Sequence, residues 1–195
     1  NTEQISIRSA IRAAEDVAAQ HGVATDDLAF DRLMLQYEAG GTSEGDGTMR
    51  EPVVTETIVQ FTQMIDGVPV LAPGRGQLSV GIDNDGRPTK IRNTVRPIAE
   101  VTERGRRTPP VPEAEAVASG GDDIEGMLGD AWQKRMRAFL VQDRMPRSFA
   151  EVPGTTEIGY VMDGDEAALV VRREYEVDHG RGILKRHRIE VPLAE

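Results

Sequence analysis

The chain has 195 residues, no cysteine, and 33 acidic against 23 basic residues, which gives a formal net charge of -10. The missing thiols exclude disulfides, thiolate nucleophiles, cysteine-ligated zinc and iron–sulfur clusters. The acidic balance argues against nucleic acid or an anionic membrane surface as the main partner, because both attract a basic face. No apolar run approaches the roughly 20 residues of a membrane span.

The first half of the chain is predicted to be a helix followed by antiparallel strands. Apolar residues at three- and four-residue steps predict a helix from Ile5 to Gln20, with Thr2 as N-cap and His21-Gly22 at its end. Asp66-Gly67 is a hairpin signal. Strands or short extended segments are predicted at Leu28–Tyr37, Val53–Gln63, Val68–Leu71, Gln77–Asp83 and Thr89–Val95, with a mobile loop at Gly40–Gly47.

The segment Leu28–Tyr37 fits either a helix or a strand, and its aromatic content favours a strand. Strict alternation along that strand would place Phe30, Arg32 and Met34 on one face, and Leu33 and Leu35 on the other.

The second half repeats this order of elements. A polar, proline-containing linker is predicted at 100–112, and an apolar stripe predicts a helix at Ile124–Val141, with Trp132 as a core anchor. Three strands follow at Thr156–Met162, Ala167–Val177 and Ile183–Val191. The sequence therefore predicts an α+β fold of two small domains, residues 1–99 and 113–195, each a helix packed on an antiparallel β-meander.

Catalytic and metal-binding patterns are not found in the sequence. His21 closes a helix, His179 lies in a turn, and His187 lies in a basic run that disfavours its protonation. Asp83-Asn84-Asp85-Gly86 begins like a calcium loop, but Thr94 stands where the bidentate glutamate belongs, so a tight turn is favoured over weak calcium binding. We expect no catalytic residue, no metal site and no cofactor.

The stretch Thr57–Leu71 resembles the propeptide motif of the fungalysin/thermolysin proteases, in which an aromatic residue and a glutamine precede a Gly-x-Pro-Val turn. The matching positions are Phe61, Gln63, Asp66, Gly67, Val68, Pro69 and Val70. The continuation Gly76–Gly86, with its acidic Asp-x-Asp-Gly turn, also matches, and the likeness covers about residues 53–98. In that family a PepSY domain often follows, and residues 113–193 are faintly similar to one.

The resemblance implies a protein that inhibits, chaperones or regulates another protein. It implies a partner-binding segment of Phe61, Gln63, Asp66, Gly67, Val68, Pro69, Val70 and Leu71. The alternative for Gly67–Val70 is a purely structural turn that packs under the helix. The chain carries no zinc-binding His-Glu-x-x-His, so the resemblance favours a stand-alone module over a propeptide that acts on its own protease.

We therefore expect an exported, non-enzymatic binding module, secreted or attached to a bacterial envelope after removal of an N-terminal signal. The first residue is Asn rather than Met, which is compatible with such removal. Arginine outnumbers lysine 20 to 3, as is typical of a GC-rich bacterial genome. The alternatives are a structural or sensory envelope protein without a protease partner, and an enzyme with unrecognised carboxylate chemistry.

Overall fold

The computed structural model describes residues 3–40, 51–97, 121–141, 147–164 and 166–193. The chain divides into two compact units, Asn1–Ile98 (unit 1) and Ala99–Glu195 (unit 2). Within the described residues each unit combines one α-helix with an antiparallel sheet, so the predicted α+β class is confirmed. Apart from Gly40, the predicted loop Gly40–Gly47 lies outside the described residues, as does the predicted linker 100–112.

Unit 1 begins with a helix and a short 3-10 turn, and then forms its sheet. The elements are α1 (Ile7–Gln20), the turn Thr25–Asp27, β1 (Leu28–Glu38), β2 (Val53–Ile65), β3 (Val68–Pro69), β4 (Gln77–Asp83) and β5 (Pro88–Asn93). The strand order is β1-β2-β4-β5, and β3 pairs with the end of β2. All these pairs are antiparallel.

Helix α1 begins two residues later than predicted. Ser6 is the N-cap, and its Oγ accepts a hydrogen bond from the amide of Ser9 at 3.2 Å. The predicted start at Ile5 and the predicted cap Thr2, itself outside the described residues, are therefore wrong, because Ser6 satisfies a free amide of the first turn. The predicted end is confirmed by Gly22, which follows the helix with a φ of 70°.

The core of unit 1 lies between α1 and one face of the sheet. Ala10, Ala14 and Ala18 are fully buried on the helix, and such short side chains allow a close approach to the strands. The strands contribute Val59, Phe61, Leu78, Val80 and Ile82 to this core. Each fully buried aliphatic side chain of this size stabilises the fold by about 1.5–3 kcal/mol relative to an exposed one.

A β-bulge changes which residues of β1 share a face. Phe30 pairs with Phe61 and Arg32 pairs with Gln60, so Asp31 is the extra residue. Phe30 therefore lies on the helix side of the sheet, whereas Arg32 and Met34 lie on the opposite face. The prediction that these three residues share a face is wrong, because a bulge interrupts strict alternation.

Unit 2 is built around one long strand. Its elements are α2 (Gly121–Val141), β6 (Ser148–Glu151), β7 (Glu157–Asp163), β8 (Glu166–Asp178) and β9 (Leu184–Pro192). Val171 pairs with Ile158 of β7 and with Val191 of β9, so these two strands flank β8 on opposite edges. Strand β6 pairs with the other end of β8 and was not predicted from the sequence.

The core of unit 2 forms between α2 and one face of this sheet. Leu128 and Trp132 of α2 pack against Val171, Tyr175, Val177 and Ile189. The ring of Trp132 stacks on that of Tyr175 at 4.3 Å between centroids and 8° between planes. Trp132 is buried, so its predicted role as a core anchor is confirmed.

Arg173 lies in β8 between the core residues Val171 and Tyr175, and its side chain is buried. Its guanidinium group donates to the carboxylate of Glu125 on α2, to Glu151 Oε2 at 3.1 Å and to Thr156 Oγ1 at 2.7 Å. The hydrogen bond from Arg173 lowers the pKa of the Glu125 carboxyl. This cation therefore joins the helix to β6 and to the segment before β7.

We predict that Arg173→Met lowers the free energy of unfolding by about 1–3 kcal/mol, since several charge-assisted hydrogen bonds are lost. Arg186→Met is the control, because Arg186 is exposed and lies 3.6 Å from Glu176 and 4.0 Å from Glu174. The Arg186→Met control is expected to lower the free energy of unfolding by less than about 1 kcal/mol. Urea unfolding followed by circular dichroism measures both, and equal losses would contradict the structural role of Arg173.

Candidate functional site

The predicted partner-binding segment forms the β2–β3 hairpin and the chain that leaves it. Asp66 and Gly67 have φ values of 49° and 77°, the positive values that a two-residue type I′ turn requires. Ile65 pairs with Val68 across this turn, and Met64 pairs with Pro69. The predicted hairpin is therefore confirmed.

Most of this segment lies in the interior of unit 1. Phe61, Gln63, Val68 and Val70 are buried. Pro69 and Leu71 are half-buried, and Asp66 and Gly67 are exposed. Within this segment, solvent therefore mainly reaches Asp66 and Gly67 at the tip of the turn. Binding of a partner by the whole segment stays a prediction.

Gln63 holds three stretches of unit 1 together. Its side-chain Nε2 donates to the carbonyl of Arg96 at 2.6 Å, and its Oε1 accepts from the amide of Arg96 at 3.1 Å. Its backbone amide donates to Gly76 O at 2.7 Å, and its carbonyl accepts from the amide of Val70 at 2.9 Å. The side chain acts as an additional peptide group and fixes the chain that follows β5.

Gly76 lies where a side chain has no room. It has a φ of 60°, and a Cβ placed on it would lie 2.7 Å from Cγ1 of the buried Val70. Both the backbone conformation and the packing around Val70 therefore require glycine at this position.

We predict that Gly76→Ala lowers the free energy of unfolding by about 2–4 kcal/mol, because left-handed strain and overpacking add together. Gly67→Ala is the matched control, since Gly67 has a φ of 77° and open space around it. The Gly67→Ala variant should lower the free energy of unfolding by the backbone strain alone, about 1–2 kcal/mol. Urea unfolding of both variants tests this difference, and equal losses would show that the contact with Val70 is unimportant.

In the acidic turn after β4, backbone amides of the turn itself donate hydrogen bonds to the carboxylate of Asp83. Asp83 Oδ1 accepts from the amides of Asp85 at 2.9 Å and Arg87 at 2.8 Å, and Gly86 has a φ of 84°. The predicted tight turn is confirmed. Across the described residues, no group of three or more His, Asp or Glu side chains is placed to hold a metal ion.

Two of the three histidines approach each other in unit 2. The ring centroids of His179 and His187 lie 6.0 Å apart. Burial lowers the pKa of His187, and the positive charges of Arg135, His179 and Lys185 lower it further. The sequence indicated that neighbouring basic residues lower the pKa of His187. The larger effect on this pKa comes from burial, which depends on the tertiary fold.

We predict that His187 makes the stability of unit 2 depend on pH. Its pKa is lower in the folded chain than the unfolded value of about 6.5, so the unfolded chain binds more protons. The contribution of His187 is complete above about pH 6.5 and is lost as the pH falls through the folded pKa. Thermal unfolding of wild type and His187→Gln between pH 8 and pH 5 measures this contribution. As the pH falls, the melting temperature of the wild type should decrease more than that of the variant. Parallel profiles would contradict the prediction.

Strand β1 is a long strand of unit 1 with three exposed apolar side chains. It has eleven residues, and in the described residues it pairs only with β2. Phe30, Met34 and Tyr37 are 50%, 40% and 58% exposed, which is high for large apolar side chains on a sheet. Sequence patterns indicated the strand but not its position at the edge, since strand order depends on long-range pairing.

Comparison with known proteins gives no relative for this chain. No protein-family model, curated protein or solved structure matches it significantly. None of the helices in the described parts of the chain combines the length and apolar character needed to cross a membrane. The resemblance to fungalysin/thermolysin propeptides and to PepSY domains therefore stays a prediction.

Proposed function

We propose that the chain is an exported, non-enzymatic binding module that inhibits, chaperones or regulates a partner protein. In this proposal unit 1 is a propeptide-like domain and unit 2 a PepSY-like domain, each a helix on an antiparallel β-meander. The observation that supports the proposal is the long edge strand β1 with its exposed apolar side chains. We propose that an extended segment of the partner adds to the sheet at this edge.

The backbone of β1 offers hydrogen bonds to such a segment. An edge strand presents a row of amides and carbonyls that its one neighbour does not use. Phe30 and Tyr37 add apolar surface along the strand. A partner strand would thus gain main-chain hydrogen bonds together with apolar contacts, which are the two sources of affinity in strand addition.

The opposite edge of the sheet is less suited to this role. Strand β5 begins at Pro88, which has no amide hydrogen to donate, and carries the charged Lys90 and Arg92. Charged residues and proline are the usual features that prevent pairing at a sheet edge. Strand β1 carries the charged residues Asp31, Arg32 and Glu38, but it has no proline and is longer, with eleven residues against six. Its length and its exposed apolar side chains favour it as the binding edge.

A residue of the predicted partner-binding segment packs against the edge strand β1 from the interior of unit 1. Phe61 packs edge to face against Phe30, with 6.4 Å between ring centroids and 83° between planes. Phe61 is buried, and it holds the half-exposed ring of Phe30 at the surface of β1. In this proposal the buried residues of the segment shape the binding edge, and Asp66 and Gly67 present the exposed turn.

We predict that Tyr37→Lys weakens capture of the partner at least tenfold, because a desolvated apolar contact is replaced by a charge. The bait is the whole chain, offered to the culture supernatant and envelope fraction of the source organism. Ile91→Lys is the matched control, since Ile91 is an exposed apolar residue of the opposite edge strand. Wild type and this control should capture the same protein equally.

Amide hydrogen exchange locates the contact on the captured complex. The amides of β1 should become protected when the partner binds, whereas those of β5 should not. Equal capture by Tyr37→Lys, or protection confined to other strands, would overturn the proposal. A captured hydrolase that loses activity indicates inhibition, and capture of envelope proteins alone indicates the structural or sensory role.

A further inference from the structure

The sheet face of unit 1 opposite α1 contains two adjacent rows of paired residues that cross four strands. One row consists of Arg32, Gln60, Ser79 and Arg92. The neighbouring row consists of Met34, Ile58, Gly81 and Lys90. Directly paired residues on one face have Cβ atoms about 4.5–5.5 Å apart, so each row places its side chains side by side.

The two small residues of β4 create a depression in the middle of this face. Ser79 and Gly81 lie between larger side chains of β2 and β5, and the resulting depression has a volume of about 210 Å³. A Cβ on Gly81 would meet the Glu56 carboxylate and lie 2.7 Å from Thr89 Oγ1, so a side chain here would have to displace Glu56. The small side chain of Ser79 and the missing one of Gly81 thus leave the depression open between β2 and β5.

The two ends of the depression differ in chemistry. Met34 and Ile58 form an apolar end, whereas Lys90 and Arg92 form a cationic end. In the described residues, neither cation has an ion-pair or hydrogen-bond partner, and the hydroxyl of Ser79 and the side-chain amide of Gln77 also make no hydrogen bond. Several donors therefore remain available to an anion at one end of an apolar surface.

The nearby carboxylates are already engaged by other groups. Asp31 Oδ2 accepts from Gln60 Nε2 at 2.8 Å and lies 3.1 Å from Arg32 Nε. Glu56 accepts a hydrogen bond from the Thr89 hydroxyl. Asp31 is thus paired with a cation, whereas Glu56 keeps its negative charge beside Gly81. Lys90 and Arg92 together outweigh this one carboxylate, so the cationic end stays net positive although the whole chain is acidic.

We propose that this depression binds a carboxylate that carries a short apolar chain. The carboxylate would accept hydrogen bonds from Arg92, Lys90 and Ser79, and the apolar chain would lie on Met34 and Ile58. The volume is below the roughly 300–1,000 Å³ of pockets for drug-sized ligands, so the ligand is a small acid or a single residue at a peptide's carboxyl end. This inference goes beyond the proposed function, because it requires no strand pairing at β1.

Titration of the whole chain with hexanoate, followed by amide chemical shifts, tests this site. We expect saturable shifts centred on Ser79, Gly81 and Arg92, and about tenfold weaker binding by the Lys90→Gln/Arg92→Gln variant. Arg87→Gln is the control, since Arg87 is exposed in the turn between β4 and β5 and does not line the depression. It should bind like wild type, and hexanamide should bind at least tenfold more weakly than hexanoate.

A pentapeptide that ends in leucine, offered with a free and with an amidated carboxyl end, distinguishes the two sources of the carboxylate. Saturable binding of hexanoate alone indicates a free acid, and preferential binding of the free peptide indicates a peptide terminus. Either result supports the site when the double variant weakens it. The proposal is overturned if neither probe binds, if the neutral amides bind equally well, or if Arg87→Gln weakens binding as much as the double variant.

Discussion

The area that one helix covers determines which parts of unit 1 face solvent. An α-helix with its side chains is about 10–12 Å wide, whereas four strands at about 4.8 Å spacing span roughly 14 Å between their outer axes. Helix α1 contacts β2, β4 and β5. Strand β1 is left at the margin of this cover, which explains why Phe30 and Tyr37 remain exposed. Among the described residues of unit 1, no helix lies on the opposite face of the sheet, and polar and charged side chains such as Arg32, Gln60 and Lys90 lie there.

Local signals in the sequence were sufficient for most elements of the fold. Period-two alternation and turn residues predicted β2 and β4, and the predicted bounds Gln77–Asp83 of β4 agree with the structure. The short strand β6 was missed because its four exposed residues carry no alternation between buried and exposed positions. The bulge at Asp31 was also missed, since it arises from pairing with Gln60 and Phe61 on another strand.

The candidate sites were harder to predict, because they depend on register. The motif around Asp66-Gly67 indicated a turn correctly, but no local pattern showed that Gln63 would bond the backbone of Arg96, 33 residues away. Likewise Ser79 and Arg92 become neighbours only through the pairing of β4 with β5. Residue types thus predict what a segment can form, whereas strand pairing decides which side chains meet.

The stacking of Trp132 on Tyr175 has a practical consequence for spectroscopy. The chain has one tryptophan, and it is buried in unit 2 against a second aromatic ring. Indole emission therefore reports the packing of the unit 2 core around Trp132. Unit 1 has Tyr37 as its one tyrosine, on an exposed strand. Comparing the emission signal with a backbone signal would show whether the two units unfold in one cooperative step or separately.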